Sequence, residues 1–194
     1  MNSEKINMSD NTEASLIRQG HHEDKLGMKG RFIIECRDKD GNLKWKDEFP
    51  NTVTTLGKNL ALDTLMAGAA YTVTGPYMGL ISSSGYSAIS AADTMSSHAG
   101  WTEAGNANAP TYTAPRKTVV FSAASAGSKS TSAALSFAIT GTGTVKGAFI
   151  VMNTGAVSTI DNTSGLLFSA GLFTGGDRAV VNTDTLNVSY TLSA

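Results

Sequence analysis

From Arg31 onward the chain sets apolar against polar positions with a period of two. Arg31-Phe32-Ile33-Ile34-Glu35-Cys36-Arg37 favours extended structure, and Asp38-Lys39-Asp40-Gly41-Asn42 carries turn chemistry. Leu43 to Phe49 then alternates apolar with charged residues, placing Leu43, Trp45, Asp47 and Phe49 on one face. Asp40-Gly41 supplies the positive φ that a tight connection demands, so the pattern predicts a β-hairpin over 31–49, ended by Pro50-Asn51. The period then changes. After Thr54-Thr55, a suitable N-cap, residues 56–67 favour helix, with Leu62, Leu65, Met66 and Ala69 at helical spacing and Gly68 near the stop.

Past the helix the two-residue period returns. Tyr77 to Ile81 reads as a short apolar strand, and Arg116 to Ser122 as another with Val119 and Phe121 on one face. Ala133, Leu135, Phe137 and Ile139 alternate with small or polar residues, as do Val145, Gly147, Phe149 and Val151. Leu166 to Phe173 is a further apolar run. The last segment is the most regular, with Leu186, Val188, Tyr190 and Leu192 facing one way and Asn187, Ser189 and Thr191 the other. Short strands separated by Gly, Ser, Asn and Asp turns predict a mainly β domain over 28–194. The expected form is an antiparallel β-sandwich, jelly-roll-like or immunoglobulin-like, with one short helix near 56–67.

Residues 1–27 do not fit this rhythm. Their apolar residues Ile6, Met8, Leu16, Ile17 and Leu26 follow no sustained period, so they are expected to form an extended N-terminal arm, mobile until a partner surface holds it. Charge sharpens the division. Of the 31 Asp, Glu, Lys and Arg residues, 19 fall in the first 50 positions. The remaining body is built of small and uncharged polar residues, which suits packing and assembly more than acid–base or metal chemistry. The net charge of −1 argues against a general nucleic-acid surface, which requires clustered Lys and Arg. Arg116-Lys117 is the one basic pair of the body. Cys36 is the single cysteine, so no internal disulfide can form. The N-terminus lacks the apolar core of a signal peptide, and no run is long enough to cross a bilayer, so cytoplasmic production without membrane contact is expected.

Candidate chemistry is sparse. Asp38-x-Asp40-Gly41-Asn42 resembles the opening of a calcium loop, but Phe49 stands where the bidentate Glu is needed and the flanks read as strands. A hairpin turn is the favoured reading. The densest polar cluster runs from Asp93 to Glu103 in a long loop. Asp93, His98 and Glu103 could in principle ligate a metal or act as acid and base, yet no second His lies nearby and their spacing matches no standard ligand set. The favoured reading is a structural loop folded around Trp101, with Asp93, His98, Glu103 and Arg116 spending their polar groups on internal hydrogen bonds. No catalytic residue, cofactor or metal site is expected, and no nucleophile elbow, phosphate loop or zinc motif occurs. His21-His22 read as solvent-facing, and the sequons at Asn162 and Asn187 as accidental.

Several of these segments together carry a resemblance. Arg37 to Trp45, followed by Asn51, Val53, Thr55, Gly57 and Asn59, resembles the N-terminal part of small virion proteins of tailed bacteriophages. Ala92 to Glu103, Gly147-Ala148-Phe149 and the ending Asp184 to Tyr190 are similar to blocks of the same group, in the same order, over about residues 30–194. The resemblance implies a non-enzymatic structural component of a virion assembled in the host cytoplasm. Within a virion, a capsid decoration or cement protein uses both halves of the chain. The sandwich would sit on the shell, and the arm, through Ile6, Met8, Leu16, Ile17 and Leu26, would bind the major capsid protein or copies of the chain itself in a homo-oligomer. The alternatives are a tail-associated protein and a receptor- or carbohydrate-binding sandwich, for which Tyr71, Tyr77, Tyr86, Trp101 and Tyr112 would be the candidate platform aromatics.

Overall fold

The computed structural model describes residues 27–66 and 73–194. The arm read over 1–27, including Ile6, Met8, Leu16, Ile17 and Leu26, therefore lies outside the described residues apart from Gly27, as do His21-His22, Ala69 and Tyr71. Among the described residues ten strands and one helix follow in the order β1 (Lys29–Arg37), β2 (Leu43–Val53), α1 (Thr55–Leu65), β3 (Tyr77–Ser82), β4 (Lys117–Thr118), β5 (Ser128–Ser130), β6 (Leu135–Ala138), β7 (Gly143–Met152), β8 (Leu166–Leu172), β9 (Arg178–Val180) and β10 (Thr185–Ser193). Every strand pairing is antiparallel. The sheet runs β4-β3-β7-β8-β2-β1-β10-β5, with β6 also on β10 and β9 also on β7, and it curls into a half-barrel.

The first hairpin forms as its residues dictate. Gly41 takes φ 84°, and the Asp38 carboxylate accepts the backbone N–H groups of Asp40 and Asn42 at 2.9 Å each. That is turn chemistry, with the carboxylate spent on the backbone of its own loop. A register shift after Cys36 pairs Arg37 with Leu43 and leaves Lys44 as the extra residue. The bulge moves Leu43 off the inward face, where the alternation had placed it, and it is 52% exposed. Nor does Pro50 end the strand. It is the last partner of β1, opposite Arg31, and from Asn51 β2 turns to pair with β8. One strand thus belongs to both limbs of the curled sheet.

Two cores result. The inner one gathers Phe32, Ile34 and Phe49 of the first hairpin, Val188 and Tyr190 of β10, and Met78, Leu80, Ala148 and Ile150 from β3 and β7. The second lies on the other face of β3, β7 and β8, where Ile81, Phe149, Val151, Leu167 and Ala170 meet Met95 and Trp101 of the loop that follows β3. β7 is therefore buried on both faces from Gly147 to Val151. A near-continuous apolar run is what such a strand needs.

The helix departs from its reading. Thr54 caps it as expected, its Oγ1 accepting the Gly57 N–H at 3.0 Å. The buried positions, however, are Gly57 and Leu60, while Leu62, Leu65 and Met66 are 49%, 69% and 78% exposed. A Cβ on Gly57 would collide with the Phe168 carbonyl oxygen, so the helix docks backbone-close through a glycine and turns its large side chains outward. The Arg116–Ser122 segment is likewise shorter as a strand, Lys117–Thr118, although Val119 is buried and Val120 exposed as the alternation requires. Ala133 precedes β6 and is exposed.

Candidate functional site

The long loop between β3 and β4 is pinned to the outer face of the sheet by the residues the sequence singled out. Trp101, 2% exposed, lies against Phe149 of β7 with ring centroids 5.2 Å apart. Its indole N–H donates to Asp93 Oδ2 at 3.0 Å, and His98 stacks on it at 3.9 Å and 23°. His98 Nδ1 sits 3.0 Å from the Trp101 carbonyl; since a carbonyl can only accept, Nδ1 carries the proton. These three side chains form one stacked, hydrogen-bonded unit.

Beneath it lies a buried ion pair. Arg116 donates through Nε to Glu103 Oε1 at 2.8 Å and through Nη2 to Oε2 at 2.7 Å, the two-point geometry in which guanidinium and carboxylate match best. The side chains are 0% and 4% exposed. Arg116 also donates to the Val157 carbonyl at 3.2 Å and the Asn162 carbonyl at 2.7 Å, and Glu103 Oε2 accepts the Asp161 N–H at 2.8 Å. The guanidinium carbon lies 5.4 Å from the Phe149 ring centre. Burial pushes the Glu103 carboxyl above the ordinary carboxylate value, against the pull of the Arg116 hydrogen bonds. The pair ties three stretches of loop to one point of the sheet. The part that Asp161 and Asn162 play here was not legible in the sequence because they contribute backbone groups to the pair; their signal is the Asp-Asn turn, in which Asp161 takes φ 62°.

A cavity of about 160 Å³ borders this pair, with His98, Glu103 and Asp161 among its walls. Both Glu103 oxygens are already engaged, so the arrangement fixes loops rather than presenting a free base. No group of three or more His, Cys, Asp or Glu residues placed to hold a metal occurs among the described residues. As for an aromatic platform, Trp101 and Tyr112 are 2% and 3% exposed and cannot offer a ring face to a sugar.

A second buried polar centre, unforeseen in the sequence, closes the first hairpin on β10. Asp184 Oδ2 accepts Lys44 Nζ at 2.6 Å, the Val181 N–H at 2.9 Å and the Cys36 thiol at 3.6 Å. Burial, and next the Asp184 charge, push the Cys36 thiol from 9.0 up to about 12. Burial likewise lifts Tyr190 from 10.0 to about 12. In both cases the folded state keeps a proton that the unfolded chain gives up. Their contribution to stability is therefore complete below pH 9.0 and is lost as pH rises towards 12. The expected result is alkaline unfolding with a slope approaching about 1.4 kcal/mol per pH unit for each group. Urea midpoints from pH 8 to 11 check it, and a Cys36→Val variant should flatten the part that begins near pH 9.0.

Another concavity is apolar. A groove of about 760 Å³ runs between α1 and the inner face of the sheet, walled by Leu60, Leu65, Phe121, Phe168, Tyr190 and Leu192. The sequence reading missed it by turning the large residues of α1 inward.

The chain matches no protein-family model, no curated protein and no solved structure.

Proposed function

We propose that this chain is a non-enzymatic structural protein of a phage virion, a capsid decoration or cement protein that stabilises the shell by binding capsid subunits through its arm and its body. The observation that carries the non-enzymatic part is the fate of the densest polar cluster. Glu103 and Arg116 spend their hydrogen bonds on each other and on the loop backbone, and Asp93 and His98 spend theirs around Trp101. Placement in a virion draws support from the ordered resemblance over about residues 30–194. A role on a surface of partners draws support from the apolar groove beside α1 and from the exposed Leu62, Leu65 and Met66 of that helix, since exposed apolar surface of this kind marks interaction sites. The proposal extends to the fold: the two limbs of the curled sheet act as the facing layers of a jelly-roll-like sandwich, with the inner core between them.

The arm supplies the test. Ordering it costs about 1–2 kcal/mol per residue, which only contact with a partner offsets. Deleting residues 1–27 is expected to abolish incorporation into particles while the body alone still folds, seen as a cooperative melting transition. Normal incorporation of the truncated chain would overturn the clamp and move the body to a tail or receptor-binding position.

A further inference from the structure

We infer that the apolar groove beside α1 receives the N-terminal arm of a second copy of this chain. The inference rests on the cement reading above and names the surface which that reading leaves open. The groove suits an aliphatic segment better than a small polar ligand. Its walls are hydrocarbon, with Thr64 and Lys129 as the polar side chains on its margin besides the Tyr190 hydroxyl, which already accepts from Asn51 at 3.0 Å. A small-molecule site normally offers several convergent polar groups to orient its ligand. The arm has the complementary composition: Ile6, Met8, Leu16 and Ile17 for the walls, and five acidic against three basic residues in 1–26 to meet Lys129 at the rim.

The register argues for a second copy rather than the same chain. On β10 the groove is walled by Tyr190 and Leu192, the partners of Phe32 and Gly30 in β1. At Lys29 the chain stands opposite Ser193, already past the last groove residue of β10, and Gly27 is exposed. Traced towards its N-terminus, the strand leads out beyond the groove. Arm root and groove nevertheless share one end of the body. Two copies meeting about a twofold axis at that end would each present an arm to the other's groove, which makes a closed, self-complementary pairing.

Cys36 is buried and its thiol is held protonated, so engineered cysteines can be read without interference. Full-length Ile17→Cys and full-length Thr64→Cys chains, mixed under mild oxidation, are expected to give a disulfide-linked heterodimer. Light scattering on the unmodified chain should show a dimer, and Leu65→Glu, at a position 69% exposed and therefore harmless to folding, should weaken it by at least about tenfold. An Ile17→Cys/Thr64→Cys double variant that links only within one chain would overturn the inference, as would an unmodified chain that stays monomeric. Neither outcome touches the virion assignment, because incorporation into particles is measured separately. A cross-linked dimer that never enters particles would instead sink the virion assignment and leave the groove pairing standing.

Discussion

An Arg116→Met chain is expected to lose about 3–5 kcal/mol of stability in urea unfolding, because the change strands the Glu103 carboxylate in a site from which water is excluded. Burial already raises the cost of that charge, and the two-point contact with Arg116 offsets it. Methionine keeps much of the arginine's length and apolar contact with Phe149, so the loss reports charge more than volume. Replacing both partners, as Glu103→Leu with Arg116→Met, is expected to recover part of the loss, since no buried charge is then left alone. Recovery should remain incomplete. The Val157 and Asn162 carbonyls lose their donor in both variants, and the Asp161 N–H loses its acceptor in the double one. A loss under about 1 kcal/mol for Arg116→Met, the scale of an exposed pair, would show that water reaches the site.

Trp101→Ala is expected to cost about 3–5 kcal/mol, the range for emptying the site of a fully buried indole. The ring is the piece of the loop that the sheet grips: removing it opens a void against Phe149, leaves Asp93 with the Ser90 N–H but without the indole donor, and takes away the surface under His98. Trp101→Phe separates the contributions. It restores most of the contact but not the indole N–H, so its cost should fall to about 1–3 kcal/mol. Thermal unfolding of the two variants checks the order. Equal losses would mean that the hydrogen bond to Asp93, and not the packing, holds the loop.

The elements that were legible in the sequence are those whose side chains alternate against a single core. The hairpin over 31–49 and the strand ending at Ser193 show this, with Phe32, Ile34, Val188 and Tyr190 all buried as their period requires. Where the backbone decides, the pattern misled. Leu43 is turned outward by a bulge that no alternation announces, and α1 is seated by Gly57, a residue that periodicity counts as nothing. The second core was hidden for a related reason: β7 is covered on both faces, but its outer cover is a loop without regular structure. The members of the polar cluster could be named from composition alone. The carbonyl and amide groups that complete it could not, since every residue carries them.

The pairing of β1 with β10 has a consequence for biosynthesis. Lys29–Arg37 is matched along its whole length to Thr185–Ser193, so this strand leaves the ribosome long before the neighbour it pairs with is made. Until then the outer edge of β1 is an open row of amide and carbonyl groups beside Phe32 and Ile34. Such an edge is a template for any other nascent copy nearby. The charged residues that alternate with those side chains, Arg31, Glu35 and Arg37, are what the waiting strand has to discourage a premature partner. Translation speed and chain crowding, more than the stability of the finished fold, should therefore govern how much of this protein reaches its native state.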